Sequence, residues 1–97
     1  MNKDNALRGQ LLDLLQKIYP EGIEHKTIVS IFFQYHRAEG ISASLEYLAD
    51  KGYVSKKELP HPYIKHEIIQ WYKLTPTGID LLDGNIPADP GIIIQRG

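Results

Sequence analysis

Lys51, Lys56, Lys57, Lys65 and Lys73 fall within residues 51–74, against only Glu58 and Glu67. Ammonium groups gathered in one segment are suited to holding an anionic surface, and His61 and His66 sit among them. The rest of the chain has the opposite sign. Residues 1–50 sum to −2, residues 51–74 to +3 and residues 75–97 to −2, giving a formal net charge of −1 over 97 residues. The total argues against a strong nonspecific binder of polyanions, while the distribution leaves one cationic segment able to meet phosphates. Such lysines also have a plainer role, because exposed lysines at a sheet edge discourage pairing with another sheet.

Other chemistry is sparse. His25, His36, His61 and His66 show no His-x-His or His-x3-His spacing, so no metal site is expected. The chain has no cysteine, which removes disulfides, thiol catalysis and cysteine-held zinc. There is no glycine-rich phosphate loop and no nucleophile motif. No catalytic residue, cofactor or enzymatic activity is expected. A hydrophobic share of 42% with 24% charged residues fits one folded domain with a modest core. No apolar run approaches the roughly 20 residues that cross a bilayer, and the polar Met1–Asn5 start precedes no signal-peptide core. The expectation is a cytoplasmic chain with no membrane partner.

The elements that must position the cationic segment can be read from periodicity. Leu7, Leu11, Leu14, Leu15 and Ile18 recur at spacings of three and four, predicting a helix from about Asp4 to Ile18. Tyr19-Pro20-Glu21-Gly22 stops it. A second helix is expected from about His25 to Tyr35. Ile28, Val29, Ile31, Phe32 and Phe33 make it apolar on more than one face, so it reads as the most buried helix. Its β-branched residues leave a strand over Thr27–Phe33 as the alternative. A third helix is expected from Ala38 to Lys51 with Ile41, Leu45 and Leu48 buried, closed by Gly52 in a left-handed cap. Tyr53–Lys57 reads as a strand. Glu58–Lys65, with Pro60 and Pro62, cannot be a central strand, and His66–Leu74 is the returning strand. Thr75-Pro76 opens a short last helix that ends at Gly84. Residues 85–97 form a tail. Its Ile92, Ile93 and Ile94 either pack back on the domain or meet a partner.

Two stretches carry a family resemblance. "SLEYLADKGYV", Ser44 to Val54, resembles the recognition-helix exit of bacterial winged-helix regulators. "YKLTPTGIDLL", Tyr72 to Leu82, resembles the wing exit of the MarR and PadR groups. With a wing-length insert between them, they imply an α+β winged helix-turn-helix over residues 1–84: a three-helix core, a β-hairpin wing and a short C-terminal helix. The long C-terminal dimerisation helix of full MarR or PadR proteins is missing, and the size suits a small stand-alone, prophage-type regulator.

The resemblance also implies a site. In the family the third helix enters the major groove of double-stranded DNA and the wing touches the backbone or minor groove. Carried over, Ser42, Ala43, Ser44 and Tyr47 are the helix contacts, Arg37 reaches a phosphate at the helix entrance, and Lys56, Lys57 and Lys65 anchor the wing. A homodimer is implied, because one module reads few base pairs. This chain departs from the pattern at Ala43, where relatives often hold a cation, and its outward positions include Glu39, Glu46 and Asp50. The alternative is therefore a winged-helix protein–protein module that does not bind DNA. It would use Trp71, Tyr47 or the Ile92–Ile94 tail. Trp71 lies on the sheet face opposite Tyr72, where it either joins Ile69 in a contact patch or packs under the isoleucines.

Overall fold

Seven elements make up the computed structural model, which describes residues 3–94. In order they are α1 (Lys3–Ile18), β1 (Ile23–Glu24), α2 (His25–Phe32), α3 (Ala38–Asp50), β2 (Val54–Pro60), β3 (Ile68–Leu74) and α4 (Pro76–Asp83). They form an α+β domain of four helices and a three-stranded antiparallel sheet ordered β1-β3-β2. The first two residues and the Gln95–Gly97 end of the tail lie outside the described residues. Among the described residues no helix is long and apolar enough to cross a membrane.

α1 buries Leu7, Leu11, Leu12 and Leu15 completely, while Leu14 and Ile18 are half-buried. Its seam is thus turned slightly from the expected stripe, with Leu12 taking the place given to Leu14. α3 packs across it through Ile41, Leu45 and Leu48, as their spacing requires. The end of α3 is a Schellman turn. Gly52 has φ of 82°, its N–H donates to the Ala49 carbonyl, and the Tyr53 N–H donates to the Leu48 carbonyl. An L side chain is strained at that φ, so glycine lets the helix end at Asp50 and the strand begin at Val54.

Tyr72 and Leu74 point from β3 into the helices, beside Val54 of β2 and Ile23 of β1. Lys57 and Trp71 are cross-strand partners on the opposite face. β2 runs three residues further than expected, through Glu58, Leu59 and Pro60. This is tolerated because β2 lies at the sheet edge, where a residue without an N–H need not complete a ladder on both sides. The connecting loop is therefore 61–67. The His61 ring accepts from the Tyr63 and Ile64 amides through Nδ1, both at 3.0 Å. β3 then pairs back in register, Ile68 opposite Pro60 and Leu74 opposite Val54. Thr75 caps α4 by accepting from the Gly78 amide, and its hydroxyl donates to the Gly52 carbonyl at 2.6 Å.

α2 departs most from expectation. It is two turns long and ends at Phe32, and Ile28 is its one fully buried residue. Ile31 is 49% exposed, and the Phe33 and Tyr35 that follow are 63% and 80% exposed. Apolar residues around a whole helix suggested burial on all sides. Here the helix is too short to be enclosed, and Ile31 is left half in solvent.

Residues 85–94 lie against the body. Ile92 is buried in the core, and the Ile93 amide donates to the Asn5 carbonyl at 3.0 Å. A Cβ on Gly9 would overlap the Ile93 carbonyl, so glycine in α1 is what admits the tail. The isoleucines pack on α1 and not over Trp71. The Trp71 indole fits instead against Gly22, where a Cβ would overlap its Nε1.

Candidate functional site

The four-residue repeat of α3 sorts its side chains sharply. Ile41, Ser44, Leu45 and Leu48 face inward, and Glu39, Ala43, Glu46 and Asp50 form the exposed stripe. Ser44 is 1% exposed, and its hydroxyl has no hydrogen-bond partner among the described residues. It lies one position before Leu45 on the buried arc, where it cannot make the helix contact that the family resemblance implies. Ser42 is half-buried and held at 2.9 Å from the His25 ring. Burial, and secondarily the nearby Lys56 ammonium, keeps His25 below its ordinary value and so favours the neutral ring.

Tyr47 points toward the tail. Its ring stacks under the Arg8 guanidinium, 3.7 Å from the centroid, and its hydroxyl donates to Asp89 at 2.9 Å. Asp89 joins α3 to the tail and to the start of β2. It also accepts from the Tyr53 hydroxyl at 2.9 Å and the Gly91 amide at 2.7 Å, and Lys51 lies 3.7 Å away. Burial alone would raise this carboxyl. The Gly91 amide, the two tyrosine hydroxyls and Lys51 together outweigh burial and hold it below the ordinary carboxylate value. Tyr53, buried and donating to the same carboxylate, is pushed up to about 12. Arg8 adds a hydrogen bond to the Gly91 carbonyl at 3.0 Å.

The expected wing lysines have separate fates. Lys56 faces α3 and pairs with Glu46 at 2.9 Å. That hydrogen bond is the main reason its ammonium is held above its ordinary value. Lys57 lies on the other sheet face, and Lys65 is in the 61–67 loop. Both are exposed, and neither forms an ion pair among the described residues. Arg37, also exposed and without an ion pair among them, is the N-cap residue of α3. Of the eight residues assigned to DNA, the fold leaves Arg37, Ala43, Lys57 and Lys65 exposed and uncommitted. Trp71 is half-buried, Ile93 exposed and Ile94 half-buried.

Two features were not anticipated from sequence. One is the Asp89 clasp, for which the only local signal was an aspartate within a proline-glycine turn. The other is apolar exposure. Leu59, Tyr63, Ile64 and Ile68 crowd the hairpin tip, and Ile31, Phe33 and Tyr35 crowd the end of α2. The signal for the second was the run His25–Ala38, which holds Lys26 and Arg37 and no acidic residue. Shallow grooves mark the surface of the described residues. One of about 410 Å³ lies among α1, α4 and the tail, and one of about 170 Å³ lies between the start of α2 and β3. No group of three or more metal-ligating side chains occurs among the described residues.

Compared with protein-family models, with curated proteins and with solved structures, the chain matches none of them.

Proposed function

We propose that this chain is a winged helix-turn-helix domain that acts by docking a protein partner. The architecture is supported by the succession α1, α2, α3, β2–β3 hairpin and α4, with the 61–67 loop as the wing tip. The docking role rests on one observation: Lys56 is committed to Glu46, and the exposed stripe of α3 is Glu39, Ala43, Glu46 and Asp50. In a major groove this stripe would bring the unpaired Glu39 and Asp50 carboxylates toward phosphates, and its one neighbouring cation, Lys56, is held by Glu46. The exposed apolar side chains on α2 and the wing supply the surface a protein partner needs.

A second reading, a DNA-binding regulator, is favoured by Arg37, Lys57 and Lys65, which carry no ion pair among the described residues. Three such contacts would give weak, steeply salt-dependent binding, and a dimer would be needed for a useful site. The two readings separate in a titration of isotope-labelled protein with mixed-sequence duplex DNA at about 50 mM salt. The docking reading expects no saturable shifts. Saturable shifts over residues 37–47 and 56–66 that vanish with Lys57→Glu and Lys65→Glu would replace it with the second.

A further inference from the structure

β1 covers only part of β3. It pairs Ile23 with Tyr72 and Glu24 with Trp71, then turns into α2 at His25, so on that side residues 68–70 have no strand beside them. The direction of their backbone groups follows from the ladder with β2. The Thr75 amide donates to the Tyr53 carbonyl and the His61 amide to the Glu67 carbonyl, which puts the odd-numbered positions of β3 in hydrogen-bonded pairs with β2. The N–H and C=O of Ile68 and Gln70 therefore point the other way, toward the line of β1. A groove of about 170 Å³ lies at this place, lined by Glu24, His25, Lys26, Glu58 and residues 68–70. Glu24, Glu58 and Lys26 form no ion pair among the described residues, and burial favours the neutral His25 ring. Two carboxylates against one ammonium leave the lining at −1. The outer edge of β2 is defended by contrast: that strand carries Lys56 and Lys57 and ends on Pro60, which has no N–H. Residues 68–70, Ile-Ile-Gln, hold neither a charge nor a proline.

We propose that the open edge of β3 at residues 68–70 binds a short extended protein segment in which aliphatic and basic side chains alternate, added as a strand in line with β1. This rests on the docking reading and adds its location and the chemistry of the partner. Three residues span about 10 Å, which sets the length of the contact. Main-chain hydrogen bonds to Ile68 and Gln70 supply attraction for any extended segment, and the flanking side chains supply the selection. Ile69 lies opposite Leu59 on one sheet face, so a partner side chain level with Ile69 continues an aliphatic row. Gln70 lies opposite Glu58 on the other face, so partner side chains level with Gln70 and Ile68 rise on the face whose carboxylate lines the groove. Lys56, on that same face, is taken up by Glu46, which leaves the place open to a long cationic side chain. A second copy of this chain offering the same edge would bring Glu24 and Glu58 toward their own equivalents, an unfavourable juxtaposition of like charges. A nucleic acid strand would set its phosphates against the same two carboxylates and has no row of amides to pair with the edge.

The test uses isotope-labelled protein of full length and three synthetic peptides. One alternates valine and lysine, the second has glutamate for lysine, and the third is the first with every backbone amide N-methylated. The valine–lysine peptide is expected to shift resonances of residues 24–26 and 68–70 and to slow hydrogen exchange at the Ile68 amide. The N-methylated peptide keeps the side chains but not the donors, and is expected to bind at least about tenfold more weakly, which corresponds to about 1.4 kcal/mol. The valine–glutamate peptide should leave those resonances unmoved. Glu58→Lys should weaken the valine–lysine peptide about tenfold at unchanged melting temperature, because Glu58 is exposed and forms no ion pair among the described residues. Ile68→Pro removes an outward N–H that the ladder with β2 does not use, and should weaken the same peptide at least as much. Equal binding of the N-methylated peptide overturns strand addition, and equal response to the glutamate peptide overturns the partner's charge. Concentration-dependent shifts at residues 68–70 without any peptide would assign the edge to self-association and overturn the proposal as well. Absence of any response at residues 68–70, with no saturable duplex DNA binding, sinks this edge and leaves the docking reading intact. The same absence together with saturable duplex binding sinks both.

Discussion

α2 and α3 are consecutive helices of similar hydrophobic content, yet they present opposite surfaces. α3 spends its apolar residues inward, burying Ile41, Leu45 and Leu48, and shows solvent Glu39, Ala43, Glu46 and Asp50. α2 buries Ile28 alone and leaves Ile31 exposed, with Phe33 and Tyr35 just beyond its end. The difference lies in what each helix is packed against. α3 has thirteen residues and lies between α1 and β2, so three turns of its stripe find partners. α2 has eight and contacts the sheet and α3 along one flank. A helix of two turns carrying four large apolar residues, Ile28, Val29, Ile31 and Phe32, with Phe33 directly after it, has more of them than one flank can cover. The surplus on α2, and the absence of surplus on α3, leave apolar side chains at the end of α2 in water while the exposed stripe of α3 is charged.

The comparison is broken most severely within α2 itself. Ile28→Ala is expected to cost about 2–4 kcal/mol, as for other buried aliphatic truncations, whereas Ile31→Ala one turn later should fall within about 0.5 kcal/mol of the parent. Urea unfolding of the two variants measures this directly, and equal losses would mean that both flanks of α2 are packed.

Next in size is the clasp that turns Tyr47 from the α3 surface. Asp89→Ala leaves the Tyr47 and Tyr53 hydroxyls without their acceptor and is expected to cost about 2–3 kcal/mol. The sign of its pH dependence follows from the shifts. Asp89 is held below its ordinary value, so its contribution is complete above the unfolded carboxylate value and is lost as pH falls through the lower folded one. Tyr53 is raised, so its contribution is complete below the unfolded tyrosine value and is lost as pH rises through about 12. Unfolding midpoints measured across the acid range should fall less steeply for Asp89→Asn than for the parent. Parallel curves would show that the clasp contributes no linkage.

A smaller effect tests the acidic stripe. Glu46→Gln frees Lys56 and should change stability by less than about 1 kcal/mol, as for other exposed pairs. Combined with Glu39→Gln and Asp50→Asn it removes three carboxylates from the α3 surface. Under the docking reading the triple variant gains salt-sensitive affinity for duplex DNA that the parent lacks, readable by fluorescence anisotropy. If parent and variant bind alike, the stripe does not govern DNA binding.

The smallest expected change is in stability at the end of α2. Phe33→Ser and Tyr35→Ser should each leave the melting temperature nearly unchanged, by about 0.5 kcal/mol or less, since neither ring is packed. A clear loss would mean that the rings cover part of the core.

Most helix positions were legible because each signal was local. Leu7, Leu11 and Leu15 marked α1, Thr75-Pro76 marked the start of α4, and Gly52 and Gly84 marked two ends where the chain takes φ near +80°. β2 was read short because Pro60 breaks a central strand, and only the sheet order shows that this strand is an edge. The candidate site was less legible. Ser44 and Tyr47 are each one position from the true outward stripe, and a rotation of less than a third of a turn decides between core, clasp and surface. Lys56 and Lys57 are adjacent in sequence, yet alternation sends one to Glu46 and the other to the opposite sheet face.

Sequence alone determined the order of the helices and the hairpin of this protein to within about three residues, and that its positive charge gathers beside the hairpin, because periodicity, caps and turn residues act over a few positions. Tertiary structure alone decided which of those charges stay free, that Asp89 ties the tail to α3, and that α2 keeps an apolar flank in water. These outcomes depend on which surfaces meet across the fold, and no spacing along the chain specifies a neighbour forty residues away.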